Sequence, residues 1–172
     1  MNLMIEKASA DDLDSLERLF DDLCDDLAAN TNYPGWEKGR YPVRQVAEAA
    51  VAENSLYVAR LDGRVAGTVT LNHREEEAYI HAQWKIWDQI AVIHTLAVHP
   101  DFSRRGVASA LMEYAIRWAK AEGSRAIHLD TYEKNTPAMG LYEKLGFVFR
   151  GKIDLGYAAW GREWYHAYEL EL

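Results

Sequence analysis

The chain has 172 residues, of which 49% are hydrophobic and 27% charged. That is the size of one domain and the composition of an ordinary globular one, which excludes disordered, collagen-like and fibrous classes. Asp and Glu outnumber Lys and Arg 27 to 19, a formal net charge of −8, so nucleic acid and anionic membrane surfaces are disfavoured as partners.

The single cysteine, Cys24, excludes an internal disulfide and a cysteine zinc site, and it lies in an apolar helical stripe. No basic stretch with a following apolar run opens the sequence, and no apolar run approaches the roughly 20 residues of a membrane span. A cytoplasmic location is expected. Repeats, linkers and low-complexity tracts are absent from the sequence, so the expectation is a single domain over residues 1–172.

Met4 to Lys7 reads as a first strand, and Ser9 with Asp12 as a capping box. Leu13, Leu16, Phe20, Leu23, Cys24 and Leu27 then hold helical spacing. Asn30 to Tyr41 is a turn-rich aromatic loop, and Pro42 is placed to open a second helix. Asp62-Gly63 between two apolar runs predicts a hairpin of strands Leu56–Leu61 and Arg64–Leu71. Asn72 to Gln89 fits neither period; a loop with a helical turn and a strand extension both suit it. Ile90 to Val98 is a near-continuous apolar run, as in a strand buried on both faces.

A helix is expected over Arg105 to Ala121, stopped by Gly123, and a strand over Arg125 to Asp130. Thr136-Pro137 reads as a helix cap followed by proline at the first helical position, in a short helix ending at Gly146. Phe147–Ile153 and Glu163–Leu170 close the chain as an antiparallel pair. The expected order is β-α-α-β-β-β-α-β-α-β-β, an α/β or α+β arrangement.

Val98 to Ala108 (VHPDFSRRGVA) carries the clearest chemical signal. A central strand ends, a polar turn brings Arg104 and Arg105, and a helix begins after Gly106. Helix N-termini offer unpaired N–H groups and a positive dipole end, so the segment suits a pyrophosphate. An ordinary strand-turn-helix with solvated arginines fits the same residues. No Gly-Lys-Ser/Thr and no Gly-x-Gly-x-x-Gly is present, which argues against Walker-type and dinucleotide cradles.

Val98-His99-Pro100 with Arg105-Gly106-Val107-Ala108, followed by Asn135, Ala138, Leu141-Tyr142 and Leu145-Gly146-Phe147, resembles the two cofactor motifs of the Gcn5-related N-acetyltransferase (GNAT) superfamily. The resemblance runs from Ser9 to about Gly151. It implies the GNAT fold, a mixed twisted sheet of six to seven strands flanked by about four helices, and acetyl-CoA as acyl donor. It also implies that Leu96, Ala97 and Val98 pair with the pantetheine arm. Ser103, Arg104, Arg105, Gly106, Val107, Ala108 and Ser109 would hold the pyrophosphate. Asn135 would contact the arm near the thioester, and Ala138 would leave room for it. One departure is Ser103, where the family usually carries Arg or Gln.

By the same resemblance, the Leu96 N–H would stabilise the oxyanion and Tyr142 would protonate the leaving thiolate. An aromatic at helical spacing with Leu141 and Leu145 is equally the pattern of a core residue. His94 stands where the family often has a glutamate base, and a neutral imidazole is a competent base; a structural histidine is the other reading. Asp130, Asp88 and Glu133 are further base candidates. His99 and His128 read as structural, and the six histidines make no metal set.

For the acceptor, Tyr33, Trp36, Glu37 and Tyr41 in one loop, Trp84 and Trp87 in another, and Asp130 make an aromatic, partly acidic set suited to an organic amine. The same aromatics could instead plug a sheet edge or a dimer seam. Tyr157 and Trp160 of GYAAWG can join them. The expected function is direct acetyl transfer to a primary amine of a small molecule or peptide, with homodimerisation open. The rival is a catalytically silent acyl-CoA-binding or interaction module of the same fold.

Overall fold

The computed structural model describes residues 2–172. The elements are β1 (Leu3–Lys7), α1 (Leu13–Ala29), α2 (Arg44–Ala52), β2 (Leu56–Leu61), β3 (Arg64–Asn72), β4 (Ile90–Val98), α3 (Val107–Ala121), β5 (Ala126–Tyr132), α4 (Thr136–Lys144), β6 (Val148–Ile153) and β7 (Tyr165–Glu171). Their order is the one expected from the sequence. The seven strands form one sheet ordered β1-β2-β3-β4-β5-β7-β6. It is mixed: β4 and β5 run parallel, whereas the pairs β1–β2, β2–β3, β5–β7 and β6–β7 are antiparallel. By its internal contacts the chain divides into two compact units.

The first unit takes the chain up to Asn32, then Trp36–Leu71 and His94–Ala115. Its hairpin turns at Asp62 and Gly63, with φ of 50° and 83°, the double left-handed turn that matches strand twist. Leu16, Leu19 and Phe20 of α1 pack with Ala47 and Ala50 of α2, Leu56 and Val58 of β2, and Ala97 of β4. Ser9 N–H donates to Asp12 Oδ2 at 2.9 Å in the capping box before α1. Pro42 does not open α2; the helix starts at Arg44 after an extended Val43. Arg44 there ion-pairs with Asp14 and Glu17 of α1 and with Glu48 of its own helix.

Gly67 of β3 sets how closely α3 can lie. A Cβ there would meet Val107 Cγ1 at 2.8 Å, Ala97 O at 3.0 Å and Leu111 Cδ1 at 3.1 Å. The sequence offered no sign that this glycine was needed for packing.

The second unit takes Tyr33–Gly35, Asn72–Ile93 and Ile116–Leu172. β4 and β5 pair from Ile90↔Ala126 to Val92↔His128, and β5 pairs along its whole length with β7. β7 therefore lies inside the sheet and β6 at its edge. The segment after β3, unreadable by period, is a loop with a 3-10 turn at Glu77–His81. It is held by a carboxylate from β7. Glu169 is 1% exposed and accepts from Lys85 N–H at 3.1 Å, Ile86 N–H at 3.0 Å and Arg150 Nε at 2.9 Å, with His128 Nε2 at 2.9 Å. The other ring nitrogen of His128 lies 3.0 Å from Glu75. Trp84 stacks on the same imidazole, with ring centroids 3.7 Å apart and planes 10° apart.

Burial pushes the Glu169 carboxyl up, but the donors from Ile86, His128, Lys85 and Arg150 together hold it below the usual glutamate range. A carboxyl lowered in the folded state contributes stability that is present above its unfolded pKa and lost as pH falls through the folded one. Glu169→Gln is therefore expected to cost about 3 kcal/mol in urea unfolding at pH 7, with the deficit shrinking below about pH 4. Gly67→Ala is expected to cost roughly 1–3 kcal/mol in the same measurement, because α3 must lift from β3 to make room.

Candidate active site

Two groups of residues that could do chemistry stand out, one in each unit. In the first unit, β4 ends at Val98 and leads through His99 and a 3-10 turn at Pro100–Phe102 to α3. His99 fixes this corner: its Nδ1 accepts from Asp101 N–H at 3.1 Å and its Nε2 donates to Asp22 at 2.9 Å. Phe102 is buried beneath the guanidinium groups of Arg64 and Arg105, which lie 4.9 and 5.6 Å from its ring centre.

Arg104 and Gly106 then adopt φ of 60° and 77°. These left-handed residues keep Arg105 out of the helix that the sequence placed it in; α3 begins at Val107. Gly106 O accepts the first helical bond, from Ala110 N–H at 3.0 Å. A Cβ on Gly106 would meet nothing within 4 Å, so the glycine answers to its backbone angle and the space beside it is open. Ser103, Arg104, Arg105 and Gly106 are all exposed. Among the described residues neither Arg104 nor Arg105 has an acidic partner. A left-handed turn entering a helix N-terminus, with open space and two unneutralised guanidiniums, fits a diphosphate.

The strand before this loop is distorted. Thr95 has φ of 48°, an outlier for a β-branched residue, and its hydroxyl is hydrogen-bonded to Tyr41 Oη. His94 and Leu96 flank it, half-buried, with Ala97 buried beyond. Tyr41 thereby brings the aromatic loop onto β4. Trp36 packs edge-on to Tyr41 with centroids 6.0 Å apart and lies against the α1–α2 core. Glu37 is ion-paired with Arg40.

In the second unit, Asn135 Oδ1 accepts from Ala138 N–H at 3.4 Å, so Asn135 rather than Thr136 caps α4. The helix carries Tyr142 inward. Tyr142 is 6% exposed, and its ring sits 5.9 Å from Phe147 and 6.0 Å from Tyr168. Its hydroxyl makes no hydrogen bond among the described residues, yet it is not among the sealed-off polar atoms. Burial, then the charge of Asp130, raise its pKa, so the phenol keeps its proton.

Asp130 is the electrostatic centre of this group. Tyr79, from the 3-10 turn, donates to its Oδ2 at 2.6 Å. Its Oδ1 has no partner among the described residues and is not sealed off either. Burial raises the carboxyl pKa to about 6, the Tyr79 hydrogen bond opposes this, and Glu76 adds to the rise. The same charge raises the pKa of Tyr79, Tyr142 and Tyr165. Sequence reasoning missed Tyr79, since its partner lies 51 residues away.

The remaining acceptor-side residues divide. Trp84 is 5% exposed, stacks on His128 and donates from Nε1 to Tyr79 O at 2.9 Å, so it is a core residue. Trp87 and Tyr33 are exposed at 55% and 39%. Asp88 is ion-paired with Arg125 and Glu133 with Lys152. No group of three or more His, Cys, Asp or Glu among the described residues is placed to hold a metal ion. No described helix is long and apolar enough to cross a membrane.

Known proteins resemble this chain in sequence and in fold. A streptothricin acetyltransferase of Escherichia coli is 32% identical over 103 residues, which are 60% of this chain and 52% of that protein. The chain thus spans about half the length of that relative. The crystal structure of a GNAT-family acetyltransferase from Streptococcus agalactiae 2603 superposes with a TM-score of 0.83 at 22% identity, covering 99% of this chain and 95% of the other. A chain of the NatC complex bound to Gag peptide and CoA has a TM-score of 0.71 at 19% identity, covering 100% and 99%. Residues 16–147 match the acetyltransferase (GNAT) family, and the chain belongs to that family.

Proposed function

We propose that the protein is an acetyl-CoA-dependent N-acetyltransferase acting on a primary amine by direct transfer. The observation that carries this reading is the pairing, in one unit, of a protonated buried phenol with an unbonded hydroxyl and a carboxyl with a pKa of about 6 and one open oxygen. An acid and a base held apart in pKa by their surroundings is what amine acylation needs near neutral pH. Family membership and the open, doubly basic entrance to α3 support acetyl-CoA as donor.

Acetyl-CoA, when bound, supplies an activated acetyl thioester. On this reading Ser103, Arg104, Arg105, Gly106, Val107, Ala108 and Ser109 hold its diphosphate by backbone N–H groups and guanidinium charge. Leu96, Ala97 and Val98 of β4 offer backbone to the pantetheine arm, with the Leu96 N–H as oxyanion donor. By the family resemblance, Asn135 would contact the arm near the thioester and Ala138 would leave room for it. Asp130 Oδ1 takes the proton of the alkylammonium, whose ordinary pKa is about 10.4 if lysine-like. The freed nitrogen forms the new C–N bond as the C–S bond breaks. Tyr142 Oη gives its proton to the departing sulfur and is reprotonated as the new amide sheds one to solvent.

His94 is the second candidate base. It precedes the left-handed Thr95 on β4, at the position where the family often places a glutamate. The two bases separate by mutation: the better-supported reading has His94→Gln retain the acidic limb of the rate profile and Asp130→Asn lose it.

Two measurements test the mechanism. Tyr142→Phe should lower kcat by about 10²–10⁴, while calorimetry shows acetyl-CoA affinity within about threefold of the parent chain; unchanged turnover would remove Tyr142 from the chemistry. kcat/KM should fall as pH drops through about 6, where Asp130 gains its proton. Because that pKa lies above the unfolded value, ionised Asp130 destabilises the fold fully above about pH 6 and not at all below about pH 4. Asp130→Asn should therefore be inactive yet melt higher than the parent chain at pH 7.5, with the gain vanishing at pH 4. An active Asp130→Asn, or one that melts lower at pH 7.5, would contradict the assignment.

A further inference from the structure

Tyr157 and Trp160, which the sequence set beside the two acceptor loops, belong to a run of rings on the Asp130 face of β5. On β5, Asp130 and Tyr132 share one face, and Tyr132 stands opposite Tyr165 of β7 in the ladder. Their rings lie 5.7 Å apart. Tyr165 then meets Tyr157 edge-on at 5.9 Å, and Tyr157 stacks with Trp160 at 5.9 Å with planes 20° apart. Tyr132 Oη donates to Gly161 O at 3.2 Å, which ties this loop to β5. Tyr157 and Trp160 are 39% and 51% exposed. A run of aromatic rings from Tyr132 to Trp160 therefore starts two positions along β5 from Asp130, on the same face, and ends at solvent.

Charge along the run is asymmetric. The near end carries Asp130. Arg162 stands beside the middle of the run: its backbone pairs with that of Tyr157, its guanidinium donates to Gly35 O, and its charge acts on Tyr165. A second ammonium placed there would meet a fixed cation, so the surface suits one positive charge and not two. The rings offer flat faces, which an unsaturated body uses better than an alkyl chain does. Two strand residues separate the Asp130 and Tyr132–Tyr165 positions, about 7 Å along the sheet, a gap that a short alkyl arm can span.

We infer that the acceptor is an arylalkyl monoamine, with its ammonium on Asp130 Oδ1 and its ring against Tyr165, Tyr157 and Trp160. This rests on the acetyltransferase reading above and names its substrate class. Spermidine-like polyamines are disfavoured by Arg162, and a peptide N-terminus gains little from a wall of stacked rings.

The test measures CoA release with 2-phenylethylamine, n-hexylamine, spermidine and a short peptide with a free N-terminus, and acetyl-CoA binding separately by calorimetry. The expected kcat/KM for 2-phenylethylamine exceeds that for n-hexylamine by about tenfold, with spermidine and the peptide lower still. Trp160→Ala should raise KM for 2-phenylethylamine at least about fivefold more than for n-hexylamine, with kcat little changed and the thermal melt within a few degrees of the parent chain. Equal KM shifts, or a preference for spermidine or the peptide, would overturn the assignment of acceptor class while leaving the acetyltransferase reading standing. Failure to bind acetyl-CoA together with failure to acetylate any of the four amines would overturn both.

Discussion

A carboxylate with almost no exposure must collect donors or lose its charge, and Glu169 collects them from three stretches of chain. Lys85 and Ile86 give backbone N–H groups, Arg150 its guanidinium and His128 its imidazole. Asp130 itself is placed by the pairing of β5 with β7, and Glu169 ties down the end of the irregular segment that lies over it. The residues before Lys85 have no regular period of their own, and their path is set by where Glu169 pins them. Trp84 is thereby pressed onto His128, and Tyr79 reaches Asp130. Unmaking one such buried partner costs far more than a surface ion pair contributes, because the survivor keeps its desolvation penalty.

Two acids of the same unit thus meet opposite fates. Glu169 has four donors and a lowered pKa, whereas Asp130 has one donor and a raised pKa. The first is a structural clamp. The second is held in a state the fold would rather neutralise, as expected of groups kept for reactivity rather than stability. Tyr79 sits between these roles: its hydroxyl orients Asp130 and limits the rise of its pKa, and its carbonyl anchors the Trp84 indole.

Much of the fold was legible because it is local. Asp62-Gly63 announced its hairpin through backbone angles that few other residues accept, and the helical stripes of α1 and α3 announced their inward faces. Small errors came from cap geometry. Pro42 and Arg105 look like helix starts, but the chain turns extended at Val43 and left-handed at Arg104 and Gly106. The paired motifs around Gly106 and Tyr142 were readable as motifs. The Tyr79–Asp130 pair was not, because its members are 51 residues apart and neither stands in a pattern. Trp84 misled for the same reason: an indole in an irregular, charged segment looks like surface until its partner, 44 positions on, is known.

Cys24 has one more consequence. Its thiol is 2% exposed, and burial, followed by the nearby Asp21 and Asp25, pushes its pKa to about 11. It is also the only sulfhydryl in the sequence. Thiolate is the reactive species towards disulfides and alkylating agents, so the folded protein is nearly silent to an aromatic disulfide dye. Colour developed by such a dye during turnover reports the liberated carrier, and intermolecular disulfides have no handle on the native chain.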